Sequence, residues 1–237
     1  MVSVIGLYDS GIGGLTTLAI LKKAFKNEDF FYYADNKNHP FGNKSPKELQ
    51  LIISDAISKI KNNSDVVVLA CNTASTVYNE SGVIRLLPRL DCQNQEDTLL
   101  LATRCTLSNM NTQNIKTAET DDLASLIEIQ ASINQIKGNL DMAALRTYLK
   151  IRLCKFRGVK KVVLGCSHYP YCKDEIKRIL GDAEFVDGND KVISSLKKQK
   201  LDGSGCGKVA FAFSGSTEKD KYERILSLIE KSDIMPI

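Results

Sequence analysis

Short runs of Val, Ile, Leu, Phe and Tyr with no regular polar alternation constrain this chain most. They fall at residues 3–9, 30–35, 65–72, 82–87, 98–104, 160–166, 183–187 and 208–214. A strand with one wet face alternates apolar and polar residues. Several of these runs are apolar on both faces, as strands are when helices cover a parallel sheet on both sides. Amphipathic stretches separate them, at 15–25, 45–62, 121–136, 140–156, 173–180 and 218–231. The second begins Ser45–Pro46, with Glu48 following, an N-cap and a first-turn proline. The alternation predicts an α/β fold with right-handed crossovers, built as one doubly wound sheet or as two. A chain of 237 residues accommodates either.

Two apolar runs end on a cysteine. VVVLACNTA (66–74) carries Cys71, and VVLGCSHYP (162–170) carries Cys166, 95 positions later. This repetition reads as a weak internal duplication of one βα unit. Two related lobes facing each other would bring two equivalent strand ends to one cleft. The polar, proline-led segment 88–97 is the candidate linker, and GSGCG at 203–207 is a second flexible stretch before a last strand–helix unit.

Composition removes several function classes. Lys and Arg number 32 against 28 Asp and Glu, for a net charge of +4 with the signs interspersed. The densest basic stretch, KKQK at 197–200, reads as a solvated helix face, and no basic stripe with interleaved aromatics points to nucleic acid. No apolar run reaches the roughly 18–20 residues a membrane span needs. The N-terminal MVSVIGLYDSGIGG lacks a charged leader and reads directly as a first strand. Seven cysteines, an odd number without an export signal, predict reduced thiols and a cytoplasmic protein.

Ligands in open α/β sheets bind beyond the carboxyl ends of the strands. DSGIGG (9–14), DNKNHPFGNKSP (35–46), CNTAST (71–76), TRCTLSN (103–109) and CSHYP (166–170) fall there. The glycines of DSGIGG would let backbone N–H groups approach a ligand, although the spacing is neither the dinucleotide fingerprint nor a phosphate loop. Asp9 reads equally as a helix cap or a catalyst. A thiol at a strand end before a helix feels the positive end of the helix dipole, which favours thiolate. A cysteine is also a small buried hydrophobe, and Cys92, Cys105, Cys154, Cys172 and Cys206 are read that way. Cys71 and Cys166 stand apart because both sit at strand ends with polar followers: Asn72 and Thr73, or Ser167 and His168. Zinc is not expected, since no CxxC pair is present and the Cys166–Cys172 spacing is wrong. Two facing thiols with no cofactor motif suit proton transfer at a carbon acid with inversion. One base takes the proton from one face, and a conjugate acid supplies another to the opposite face.

These motifs resemble those of the aspartate/glutamate racemase superfamily, and most of all the glutamate racemases, over nearly the whole chain. The family's D-S-G-x-G-G is matched by Asp9–Gly14, its D-x-x-x-x-P-Y-G by Asp35–Gly42, its A-C-N-T-A by Ala70–Ala74 and its G-C-T-H-Y-P by Gly165–Pro170. The resemblance implies two doubly wound α/β lobes related by pseudo-symmetry, with the active site in the cleft between them. The last strand and helix return to the first lobe, giving 1–88 plus 207–237 and 89–206. It implies Cys71 and Cys166 as the two acid/bases on opposite faces of glutamate, with Asp9 and His168 tuning them. Glu128, in DDLASLIE, best matches the family's middle acidic residue. Ser10, Pro40, Phe41, Gly42, Asn72, Thr73, Thr106 and Ser167 match substrate-contacting positions. No cofactor and no metal are implied. The implied product, D-glutamate, supplies peptidoglycan in a bacterium, and family members are commonly homodimers. Phe41 stands where tyrosine is usual, Asn38 where arginine is frequent, and Ser167 where threonine is. The alternatives are a racemase acting on aspartate or another amino acid, and a non-catalytic amino-acid-binding or regulatory protein on the same fold.

Overall fold

The computed structural model describes residues 3–41, 44–90, 96–133 and 142–231. Gly42, Cys92, half of the predicted linker (91–95) and the helix extensions at 134–136 and 140–141 lie outside them. Two parallel sheets are present. The first contains β1 (Val4–Asp9), β2 (Asp29–Ala34), β3 (Val66–Leu69), β4 (Val83–Arg85) and β9 (Val209–Phe213), in the order β4-β3-β1-β2-β9. The second contains β5 (Thr98–Ala102), β6 (Lys116–Glu119), β7 (Lys161–Gly165) and β8 (Glu184–Val186), in the order β6-β5-β7-β8. Both orders reverse direction at their first strand, β1 having β2 and β3 on either side and β5 having β6 and β7, and in the first sheet β9 then returns to the β2 edge. Such a reversal opens a crevice at the strands' carboxyl ends.

Helices cover the sheets: α1 (Leu15–Ala24), α2 (Pro46–Lys61), α3 (Asn72–Val77), α4 (Arg104–Ser108), α5 (Asp121–Ile133), α6 (Met142–Leu153), α7 (Lys173–Leu180), α8 (Asn189–Leu196) and α9 (Lys219–Lys231). Ser45 caps α2 by accepting the Glu48 N–H, with Pro46 at its first position. Such a cap contributes about 1 kcal/mol. The central strands are buried on both faces: Ile5, Leu7, Tyr8, Val68, Leu69, Leu99, Leu100, Leu101, Val162 and Val163 are all at most 2% exposed. Burial on both sides is what made these runs legible. Among the described residues, no helix is long and apolar enough to cross a membrane.

Four expectations change. Residues 116–119 form β6, an edge strand whose Lys116 and Thr117 are exposed, so it lacks the apolar signature. The two cysteine-bearing runs stop being strand before the thiols. β3 ends at Leu69, and Cys71 is the N-cap of α3. KKQK lies exposed in the turn after α8 rather than on a helix face. Finally, GSGCG is tied down. Gly205 N–H donates to Asn27 O at 2.6 Å, and Cys206 N–H to Asp29 Oδ1 at 2.9 Å. Its glycines serve that contact: a Cβ on Gly205 would lie 2.6 Å from the Asp29 nitrogen, and Gly203 and Gly207 have φ of 67° and 79°. The segment delivers the chain to β9, which pairs in parallel with β2.

Candidate active site

Cys71 and Cys166 both lie at the carboxyl ends of central strands, one on each sheet, and both are buried. Their sulfurs are within electrostatic reach of each other. Cys71 opens α3 directly. Cys166 leads instead into a single 3₁₀ turn, Tyr169–Cys172, before α7. The dipole argument for a thiolate fails at Cys71. Burial, then the Asp9 carboxylate, pushes this thiol well above its ordinary pKa, and a six-residue helix does not offset them. Ser10 Oγ lies 3.9 Å from Cys71 Sγ.

The backbone N–H groups of DSGIGG are engaged by carboxylates of the protein itself. Asp9 Oδ1 accepts the Gly11 N–H at 2.8 Å, and its Oδ2 accepts the Ser167 hydroxyl, from the second lobe, at 2.9 Å. The N-cap of α1 is Gly14, so Asp9 is not that helix's cap residue. Burial raises the Asp9 pKa, opposed by His168 and by these hydrogen bonds. The glycines make room for the opposite lobe. A Cβ on Gly11 would overlap the Glu128 carboxylate, and one on Gly13 would lie 2.5 Å from His168 Nδ1. Tyr32 holds the turn from below by donating to Gly11 O, and Tyr171 reaches across to donate to Ile12 O, both at 2.8 Å.

A charge chain runs from the second thiol to the last helix. Cys166 Sγ lies 3.8 Å from His168 Nδ1, and His168 Nε2 lies 2.9 Å from Glu128 Oε1. Glu128 Oε1 also accepts the Ile12 N–H at 2.6 Å, and Lys221 Nζ of α9 lies 3.7 Å from Oε2. Burial raises the cost of charge at Glu128, yet the His168 partner, the charge of His39 and the Ile12 N–H outweigh it. Its pKa falls from 4.5 to about 2. Burial likewise opposes an imidazolium at His168, but the Cys166 and Glu128 contacts prevail and raise it well above the ordinary histidine value. The sequence pattern around Glu128 is faint, but its position on α5 places it beside His168.

The remaining predicted residues divide into two groups. Thr73 Oγ1 lies 3.0 Å from Thr103 Oγ1 and 3.3 Å from Thr106 Oγ1, a buried hydroxyl cluster joining the lobes. Asn72 and Phe41 are engaged in structure: Asn72 Nδ2 donates to Leu86 O at 3.0 Å, and the buried Phe41 ring packs on Tyr8 with centroids 6.1 Å apart. Asn38 donates to Asp35 Oδ1 at 2.8 Å, and Tyr8 donates to Oδ2, so the loop is held without an arginine. Pro40 follows a cis peptide after His39. Ser167 is committed to Asp9.

No protein-family model matches the chain, so pairwise likeness carries the assignment. It is 31% identical over 214 residues to a glutamate racemase of Clostridium perfringens, covering 82% of each chain. The chain belongs to the glutamate racemase family. It is therefore an isomerase, a racemase. A second glutamate racemase, from Clostridium acetobutylicum, is 30% identical over 250 residues, covering 94% of this chain and 97% of that protein. Among solved structures, Escherichia coli glutamate racemase, in complex with L-glutamate and the activator UDP-MurNAc-Ala, shares the fold. Its TM-score is 0.79 at 21% identity, covering 97% of this chain and 96% of that one.

Three residues packed into this cluster were missed in the sequence. Lys221 sits in an ordinary amphipathic helix, Thr103 beside the predicted Thr106, and His39 inside the DNKNHPFG loop. Only His39 carried a sequence signal, as one of just two histidines.

Proposed function

We propose that the protein racemises glutamate by a cofactor-independent, two-base transfer of the α-proton, with Cys71 and Cys166 on opposite faces of the substrate. The observation that carries this reading is that two buried thiols stand at strand ends of two different sheets, each with its own acid/base neighbour, while Asp9 of one lobe is hydrogen-bonded to Ser167 beside the other thiol. In one direction, the Cys166 thiolate removes the α-proton and becomes a thiol, while the Cys71 thiol delivers its proton to the other face and becomes a thiolate. The reverse direction exchanges the roles. Each transfer moves one proton off the substrate and one onto it, and exchange with solvent then returns Cys71 to thiol and Cys166 to thiolate for the next turnover in the same direction. Cys71, whose thiol is held protonated by burial and Asp9, is the resting acid. His168 takes and returns charge beside Cys166, and Glu128 fixes its ring through Nε2. The Thr73–Thr103–Thr106 hydroxyls and Ser10 are the groups for the substrate's polar ends. Pro40, Phe41, Asn72 and Ser167 shape the pocket around them.

Lobes of 1–88 with 207–237, and of 89–206, close on that pocket. The reading draws support from the glutamate in the Escherichia coli complex and from the bacterial relatives. It makes the protein a cytoplasmic source of D-glutamate for peptidoglycan, working as a homodimer.

The test is incubation of the reduced protein with L- or D-glutamate in D₂O. Expected are α-deuterium in the product and decay of optical rotation, both abolished by Cys71→Ala or Cys166→Ala. Full activity in either variant refutes that cysteine's role. A higher rate on aspartate than on glutamate would reassign the substrate.

A further inference from the structure

The chain has two histidines, 129 positions apart, and the fold brings them together with ring centroids 5.7 Å apart. His39 comes from the loop between β2 and α2, and His168 from the loop after β7. Between them, α5 presents the Glu128 carboxylate. One ligand-capable atom from each of His39, Glu128 and His168 lies within 4.8 Å of the other two. His39 is otherwise unemployed: both ring nitrogens are buried, and neither has a hydrogen-bond partner among the described residues. A buried polar group left unpaired costs about 1–3 kcal/mol, so an imidazole kept in this state calls for a partner the fold does not supply.

We propose that His39, Glu128 and His168 form a binding site for a divalent transition-metal ion of the zinc type. The donor set decides the class of ion. Two imidazole nitrogens and one carboxylate oxygen suit zinc and its neighbours, whereas magnesium and calcium favour oxygen ligands throughout. Zinc bonds of about 2.0–2.2 Å in a tetrahedron separate two ligand atoms by about 3.3 Å. His168 Nε2 and Glu128 Oε1 are already 2.9 Å apart. His39 needs to approach by at most about 1.5 Å to reach that spacing. Lys221 and the Ile12 N–H are the competing groups: Lys221 lies on the other carboxylate oxygen, Oε2, while Ile12 donates to Oε1 itself. Lys221 has further partners in Glu218 Oε1 at 3.2 Å and Ser132 Oγ at 3.1 Å, so it does not depend on the oxygen the ion uses. No sulfur enters the site, which distinguishes it from the cysteine–histidine arrangement the sequence argued against.

Binding displaces the Nε2 proton of His168, which is released to solvent, and leaves the remaining ring proton on Nδ1, toward Cys166. The imidazole then can no longer take up and release charge beside that thiol. Resting on the racemisation reading, the consequence is inhibition by the ion.

Zinc chloride titrated calorimetrically into the reduced full-length protein, with no substrate present, should report one ion per chain. His39→Leu should weaken binding at least about tenfold, the lower end of what losing even an outer-shell partner costs a metal site. Because the His39 ring makes no hydrogen bond among the described residues, the variant should keep its circular dichroism and melting temperature. His39→Gln serves as a second variant with the same expectation. Cobalt(II) added to the unaltered protein should give weak visible d–d bands without an intense sulfur-to-metal band in the near ultraviolet. Unchanged zinc affinity in both variants, or an intense sulfur band, overturns the site by placing the ion on the thiols. Absence of zinc binding overturns it as well. Zinc inhibition of racemisation that is relieved in His39→Leu supports the consequence. A protein that binds zinc as described but does not racemise glutamate leaves the site standing and removes only the functional reading.

Discussion

Replacing Glu128 by Gln isolates the charge that organises the second half of the site. The amide keeps the shape and can still accept the Ile12 N–H, but it cannot balance an imidazolium at His168 or the Lys221 ammonium. The size of the effect follows from the carboxyl's acidity. Its pKa falls from 4.5 in the unfolded chain to about 2 in the fold. At about 1.36 kcal/mol for each tenfold change, that is about 3 kcal/mol of stability supplied by ionised Glu128. The side chain is only 15% exposed, so solvent screening removes little of it. A group made more acidic by folding contributes fully above its unfolded pKa of 4.5 and loses that contribution as pH falls toward about 2. His168 works in the opposite sense. Its raised pKa contributes fully below about 6.5 and is lost as pH rises through the folded value. Urea melts of both proteins, chosen because guanidinium is itself a screening salt, should differ by about 3 kcal/mol between roughly pH 5 and 6. Below that, the unaltered protein should lose up to about 1.4 kcal/mol per pH unit relative to the variant, so the curves converge. Parallel curves from about pH 5 to 3 would show that Glu128 carries no such charge-dependent stability and refute the argument.

Gly13→Ala places a methyl group 2.5 Å from His168 Nδ1 and should lower racemisation about a hundredfold, as a displacement near 1 Å can. Gly82→Ala is the control. It has φ of 84° but nothing within 4 Å, so it should cost about 1–2 kcal/mol in urea melts and leave turnover unchanged. Lys221→Met leaves Glu128 and Glu218 without their shared cation and should cost about 3 kcal/mol or more, partly recovered by Arg. Asp9→Asn should impair the direction in which Cys71 acts as acid differently from His168→Asn, measured as separate L-to-D and D-to-L exchange rates. Equal losses in both directions for both variants would remove the asymmetry between the thiols.

The strands, most of the long helices and the two strand-end cysteines were legible in the sequence. Burial on both faces leaves an unbroken apolar run, and a 3.6-residue period leaves an amphipathic one. β6 was not legible because an edge strand with exposed Lys116 and Thr117 carries neither mark. The short α4 was hidden because a helix of five residues shows too little of a period.

What each site residue touches was decided by tertiary structure alone. The glycines of DSGIGG look like a ligand cradle in one dimension. In three, Gly11 and Gly13 are clearances for Glu128, Ser167 and His168 from the other lobe, and Gly14 is one for Asp9 and Tyr32. A strand-end thiol before a helix reads as a promoted thiolate, but burial and Asp9 push the Cys71 thiol well above its ordinary pKa. His39 and Lys221 carry no local pattern, because their significance is a distance to Glu128 across more than eighty residues of chain. Sequence determines periodicity and motif, which are properties of neighbours along the chain. Acidity and coordination depend on which groups share a buried volume, and only the closed fold brings those groups together.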